Sequence, residues 1–144
     1  MLVKQILKEK SDDGVVTVPP GTTVSAAAET LSARRIGAVI VSSDGKTPLG
    51  IVSERDIVRE LGRRGASCLP EMVDSIMTRE LVTCGIDHTA DDVMAQMTAG
   101  RFRHVPVMEG DEMVGLISIG DVVKARLSEL AMEKDALEGM IKGF

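Results

Sequence analysis

Apolar residues in this chain follow two rhythms, one helical and one extended, and the whole arrangement occurs twice. Val24, Ala27, Ala28 and Leu31 stand at i, i+3, i+4 and i+7 behind Thr23, which predicts a helix capped by that threonine. Ala38-Val39-Ile40-Val41 is an unbroken apolar run, followed by Ser42-Ser43-Asp44-Gly45 and Leu49-Gly50-Ile51-Val52. This predicts a buried strand, a hairpin turn and a second strand. A helix over residues 54–62, ending near Gly62, completes the set. Upstream, residues 15–18 predict a short strand stopped by Pro19-Pro20-Gly21. Residues 1–10 predict a short amphipathic helix broken at Ser11-Asp12-Asp13-Gly14. Residues 63–70 are the most linker-like stretch.

The second half repeats the first. Residues 73–77 mirror residues 3–7, and Val82-Thr83 mirrors Val16-Thr17. Thr89 caps a helix carrying Ala90, Val93, Met94 and Met97 at the same spacings. Val105-Pro106-Val107 stands where Val39-Ile40-Val41 stood, and Gly110-Asp111 turns into Met113-Val114-Gly115-Leu116-Ile117. The offset holds at 66 from Thr17 to Val41 and falls to 65 after the shorter second hairpin. An internal duplication of a β-α-β-β-α unit follows. Three short strands cannot bury their own face, so two such units are expected to pack sheet to sheet with pseudo-two-fold symmetry and clefts between them.

The residues joining strand to helix carry the chemistry. Gly50-Ile51-Val52-Ser53-Glu54-Arg55-Asp56 and Gly115-Leu116-Ile117-Ser118-Ile119-Gly120-Asp121 both run from a buried strand through a serine to an aspartate. The serine is placed to cap the helix, whose free N–H groups suit an anion. The aspartate can accept hydrogen bonds from vicinal hydroxyls such as those of a ribose. One copy reads most simply as a helix cap; two in register favour a nucleotide.

Composition narrows the classes. The chain has 144 residues, 44% hydrophobic and 27% charged, with two Phe and neither Trp nor Tyr. Its core must therefore be aliphatic, and base stacking on aromatic platforms has almost no residues to use. A net charge of −5 disfavours a non-specific nucleic-acid surface. No apolar run suits a transmembrane span and no signal peptide is evident. Cys68 and Cys84 form no Cys-x-x-Cys pair, consistent with free thiols and a cytoplasmic location.

These residues resemble the paired cystathionine-β-synthase (CBS) domains, or Bateman module, over about residues 2–127. The resemblance rests on the two Gly-h-h-Ser-x-x-Asp segments, the threonine before each first helix, and Arg101-Phe102-Arg103-His104-Val105-Pro106-Val107. It implies a first motif over residues 1–65, a linker at 66–70, a second motif over 71–128 and a helical extension over 129–144. It also implies binding of AMP, ADP or ATP, in some members NAD or S-adenosylmethionine, with no cofactor required. Asp56 and Asp121 match the ribose-binding aspartates, and Ser53 and Ser118 the neighbouring hydroxyls. Thr17 and Thr83 match the polar residue at the end of the first strand. Ile36-Gly37-Ala38 and Phe102-Arg103-His104, with Pro106, match the segments that receive the base. Arg55 adds a phosphate contact in the first motif only, because Ile119-Gly120 replaces Glu54-Arg55 in the second. The resemblance further implies a stand-alone regulatory module, a homodimer, and a separate regulated protein.

Other features read more plainly. Arg55 and Arg103 are assigned to phosphate, whereas Arg34 is assigned to a solvated face paired with Glu29, Glu54 or Asp92. Cys84 and His88 are four apart but lack the further ligands of a closed zinc site, so no metal is assigned. No Ser-His-Asp set, P-loop or Gly-x-Gly-x-x-Gly appears, so no catalytic role is assigned. Met94, Met97 and Met113 read as core filling. The last helix, from Asp121 to about Lys142, carries Val123, Leu127, Leu130, Leu137 and Ile141 at alternating four-three spacing, interrupted by Lys134. That stripe either packs on the N-terminal helix of its own chain or forms a dimer seam.

Overall fold

The computed structural model describes residues 1–10 and 14–142; the break expected at Ser11-Asp12-Asp13 lies outside them. The described elements are α1 (Val3–Glu9), β1 (Thr17–Val18), α2 (Val24–Arg34), β2 (Ala38–Val41), β3 (Gly50–Ser53) and α3 (Glu54–Arg64). They continue with β4 (Cys84–Gly85), α4 (Ala90–Gly100), β5 (His104–Glu109), β6 (Glu112–Ser118) and α5 (Ile119–Ile141). The order β-α-β-β-α thus occurs twice, in a mixed α/β chain with two three-stranded sheets, β1-β2-β3 and β4-β5-β6. In the first sheet β1 runs parallel to β2 with Thr17 opposite Ile40. Strand β3 runs antiparallel to β2 with Ala38 opposite Ser53.

The chain divides into two compact units. The first is Asp13–Val82 with Met108–Gly115, and the second Met1–Asp12, Thr83–Val107 and Leu116–Phe144. Each has its own aliphatic core. In the first unit Val18, Val24, Ala27, Leu31, Val39, Val41, Val52, Ile57 and Val73 pack together. In the second, Val3, Ile6, Val93, Met97, Val105, Val107, Ile117 and Val122 do so. Each fully buried Val, Ile or Met contributes roughly 1.5–3 kcal/mol by leaving water.

Backbone bonds explain why the units do not follow the sequence halves. In the second unit Val3 N–H donates to the His88 carbonyl (2.8 Å), and Ala90 N–H to the Met1 carbonyl (2.9 Å). In the first unit the segment leading the second repeat does the same for α2. Val73 N–H donates to Thr22 (2.8 Å), and Val24 N–H to Glu71 (2.8 Å). Each repeat's leader therefore secures the first helix of the other repeat, supplying acceptors to N–H groups that a helix start leaves unmatched. Residues 3–7 and 73–77 do occupy equivalent places, although the second copy is only a 3-10 turn, Val73–Ser75.

Several local expectations shift. The first strand is shorter than residues 15–18. Helix α3 does not stop at Gly62 but runs to Arg64, held by Glu60 to Arg63 (3.3 Å) and to Arg64 (2.9 Å), pairs that bridge successive turns. It ends at Gly65, whose φ of 64° is readily adopted only by glycine. The linker-like stretch 63–70 is ordered: a 3-10 turn, Gly65–Cys68, buries Cys68, and Arg64 also reaches Glu71 (2.6 Å). Met97 and Met113 are buried, as core filling requires, whereas Met132 and Met140 are exposed.

Candidate functional site

Both Ser-x-x-Asp segments fold as reciprocal capping boxes. Ser53 ends β3 and its Oγ accepts the Asp56 N–H (3.2 Å), while Asp56 Oδ2 accepts the Ser53 N–H (2.8 Å) and hydroxyl (3.0 Å). Ser118 and Asp121 repeat this at the start of α5, at 3.2 and 2.8 Å. Thr89 and Asp92 form the same box at α4. The box alone is therefore a folding device; what sets the two Ser-x-x-Asp copies apart is their position at the end of a central hairpin.

That position gathers the predicted residues within each unit. In the first, Glu54 N–H donates to the Gly37 carbonyl (2.9 Å), and Ala38 pairs with Ser53, so Ile36-Gly37-Ala38 lies against the Ser53-Glu54 junction that leads into Arg55 and Asp56. In the second, Ile119 N–H donates to the Arg103 carbonyl (2.8 Å), which brings Phe102-Arg103-His104 to Ser118 and Asp121. Thr17 heads β1 rather than ending it. Thr83 is exposed and precedes β4, its carbonyl accepting from Gln96 Nε2 (3.3 Å). Pro106 is buried in β5 and has no N–H to match the one Ile40 donates to Val16 (3.2 Å), consistent with β4 starting one position late.

The two aspartates differ in their partners. Asp56 Oδ1 accepts from Arg59 (2.7 Å), an i,i+3 pair that sequence spacing could have shown. Asp121 Oδ2 accepts from Lys10 Nζ (2.9 Å), which also donates to the Leu116 carbonyl (2.8 Å). No pattern in the sequence marks that contact, 111 positions apart. Burial pushes the Asp121 carboxyl up, but the Ser118 N–H and the Lys10 ammonium outweigh it and hold the group below its ordinary value. Among the described residues the side chains of Arg34, Arg35, Arg55, Arg101 and Arg103 form no ion pair and are exposed. The pairing of Arg34 with Glu29, Glu54 or Asp92 is thus not formed.

A hollow of about 480 Å³ lies in the first unit, lined by Ala28, Leu31, Ile36, Gly37, Glu54 and Val58 among others. It shares only Ile36 and Gly37 with the predicted ligand set. His88 Nδ1 accepts the Gly85 N–H (2.8 Å), and burial pushes the Cys84 thiol up to about 11, so both are engaged in local structure. No group of three or more metal-ligating side chains converges among the described residues.

Two motifs of one topology, each presenting a capped aspartate beside a backbone turn and an arginine without an ion pair, make up a duplicated module. The CBS domain profile matches residues 3–63 and again 73–128, and the chain belongs to this family of CBS domain proteins. It is 35% identical over 141 residues to the mitochondrial CBS domain-containing protein CBSX3 of Arabidopsis thaliana, covering 94% of this chain and 68% of that protein. Longer Arabidopsis relatives are spanned over 22% to 25% of their length. Among solved structures, the CBS-domain containing protein ATU1752 from Agrobacterium tumefaciens superposes with a TM-score of 0.83 at 48% identity, covering 88% of this chain and 99% of that one. PAE2072 from Pyrobaculum aerophilum, solved in complex with AMP, superposes at 0.78 with 27% identity, covering 92% and 99%. No helix among the described residues is long and apolar enough to cross a membrane.

Proposed function

We propose that this chain is a non-enzymatic sensor that binds an adenosine nucleotide, AMP foremost, at the Ser-x-x-Asp ends of its two motifs. Occupancy passes to a separate protein, and the module works as a cytoplasmic homodimer. The motifs are taken as residues 1–65 and 71–128, joined by 66–70 and followed by the extension 129–144. The observation that carries the reading is the paired site in a fold whose relative PAE2072 is complexed with AMP. Capacity at the carboxylates supports it. An ionised carboxylate has about four acceptor positions. Among the described residues Asp56 uses three, for Ser53 N–H, Ser53 hydroxyl and Arg59, and Asp121 also three, for Ser118 N–H, Ser118 hydroxyl and Lys10. Each retains room for a ribose hydroxyl. Arg55 and Arg103 supply phosphate contacts, with Thr17, Ile36, Gly37, Ala38, Ser53, Thr83, Phe102, His104, Pro106 and Ser118 completing the sites.

Isothermal titration with AMP, ADP, ATP and NAD tests this. Heat is expected, with Asp56→Ala and Asp121→Ala each weakening one site. No heat and no thermal shift at millimolar nucleotide would refute it. A second reading, an interaction scaffold with unfilled clefts, is favoured by the ammonium of Lys10 already seated on Asp121. Partner binding unchanged by nucleotide would select it.

A further inference from the structure

We infer that a second copy of this chain pairs with the first through α5, antiparallel and in a single register. This rests on the homodimer proposed above and adds where and how it forms.

Helix α5 is anchored along one side only. Val122 and Ala125 are buried in the second unit's core, whereas Val123, Leu127, Leu130, Leu137 and Ile141 are between 43% and 86% exposed. Helix α5 does touch α1, but that contact leaves the stripe largely open to solvent. With Lys134, these residues step 4, 3, 4, 3, 4 along the helix, a sequence that reads the same in both directions. Turning a second copy end for end places Val123 on the partner's Ile141, Leu127 on the partner's Leu137, and Leu130 on the partner's Lys134. The seam spans about 27 Å at 1.5 Å per residue.

Charge decides the direction. Beside the seam, antiparallel pairing sets Lys124 against the partner's Glu138, twice by symmetry. Parallel pairing instead sets Lys134 against the partner's Lys134, and Glu133 against the partner's Glu138. One opposition remains in the antiparallel form, Glu133 against the partner's Glu133. The Lys134 ammonium stands next to it while its methylenes cover Leu130. Lys134 stands 3.9 Å from Glu138 of its own helix, at the far edge of ion-pair range, so that ammonium is loosely held and can swing. The seam is short for an isolated coiled coil, but the first turns of α5 are already fixed by the core, which removes much of the ordering cost.

Sedimentation velocity of the full chain without nucleotide, over a concentration series, tests the inference. Leu137→Glu is expected to weaken the dimer by at least about tenfold, and Lys134→Leu to tighten it by about tenfold, by losing or gaining a buried apolar layer. Lys124→Glu weakens it, and adding Glu138→Lys restores it. Ala131→Cys cross-links under oxidation because the two copies of residue 131 flank the seam's centre, whereas Leu130→Cys does not. Circular dichroism checks that each variant is folded. A dimer unmoved by Leu137→Glu and Lys124→Glu overturns the inference and leaves the homodimer standing. Cross-linking through Leu130→Cys instead of Ala131→Cys also overturns it. A monomer at every concentration overturns both.

Discussion

Replacing Lys10 by Met keeps the aliphatic stem and removes the ammonium that holds Asp121 and the Leu116 carbonyl. The two side chains of this ion pair are 35% and 21% exposed, so it lies between the surface and buried cases. Exposed pairs contribute about 0.2–1 kcal/mol, and breaking a buried one costs about 3–5 kcal/mol, which places this loss at about 1–2 kcal/mol. In a domain of this size that lowers the melting temperature by about 3–8 °C. The sign with pH follows from Asp121, whose folded carboxyl lies below its ordinary value. A depressed carboxyl stabilises the fold above the unfolded value, near 4, and that contribution fades as pH falls through the folded one. Urea denaturation of both proteins at pH 7, 5 and 3.5 should therefore show the full difference at pH 7 and a shrinking one at the lowest pH. Because the Ser118 bonds remain in the variant, its own acid dependence does not vanish. A difference that is constant with pH, or absent at pH 7, refutes the argument. Nucleotide gives a second readout: freeing Asp121 should change one site and leave the site at Asp56 as it was.

A methyl group at Gly50 would meet Met77 Sδ at 2.5 Å and the Thr78 carbonyl at 3.1 Å, so Gly50→Ala should destabilise by about 1–3 kcal/mol in a urea melt. Arg35 and Arg101 end α2 and α4 in the left-handed region, at φ 54° and 57°, where glycine is unstrained. Arg35→Gly and Arg101→Gly should each raise stability by about 0.5–1 kcal/mol, and a loss at either would contradict the strain. Burial sets the Cys84 thiol at about 11 and Cys68 is also buried, so at pH 8 neither should react with Ellman's reagent until the protein unfolds. Fast labelling of the native protein would show the core to be open.

Most of the fold was legible because it is written locally and twice. Helical spacing behind Thr23 and Thr89 gave α2 and α4 with their caps, and the apolar runs gave β2, β3 and β6. The sequence reading departs from the structure where an ion pair, within the helix or beyond it, overrides a single-residue signal. Gly62 looked like a stop, yet Glu60 and two arginines carried the helix past it, and Arg64 tied down a stretch that composition alone would leave loose. The exchange of leaders between repeats was invisible for another reason. Its bonds are backbone to backbone and leave no mark on side-chain choice.

The Ser-x-x-Asp segments show why a structural and a functional reading of one motif need not compete. Capping fixes the rotamer of the aspartate by giving one of its oxygens the serine N–H, and a fixed carboxylate loses less freedom when it accepts a ligand hydroxyl. Thr89 and Asp92 have the same cap but stand at the start of α4, without a hairpin end beside them, so the cap supplies rigidity and the hairpin supplies the place. What then distinguishes the two copies is the cation each aspartate already holds. Arg59 comes from the same helix as Asp56 and moves with it, whereas Lys10 reaches Asp121 from another element and can be displaced without disturbing α5. On the proposed reading, a ligand at Asp121 would share that carboxylate with Lys10, and binding there would alter how the leader segment is held.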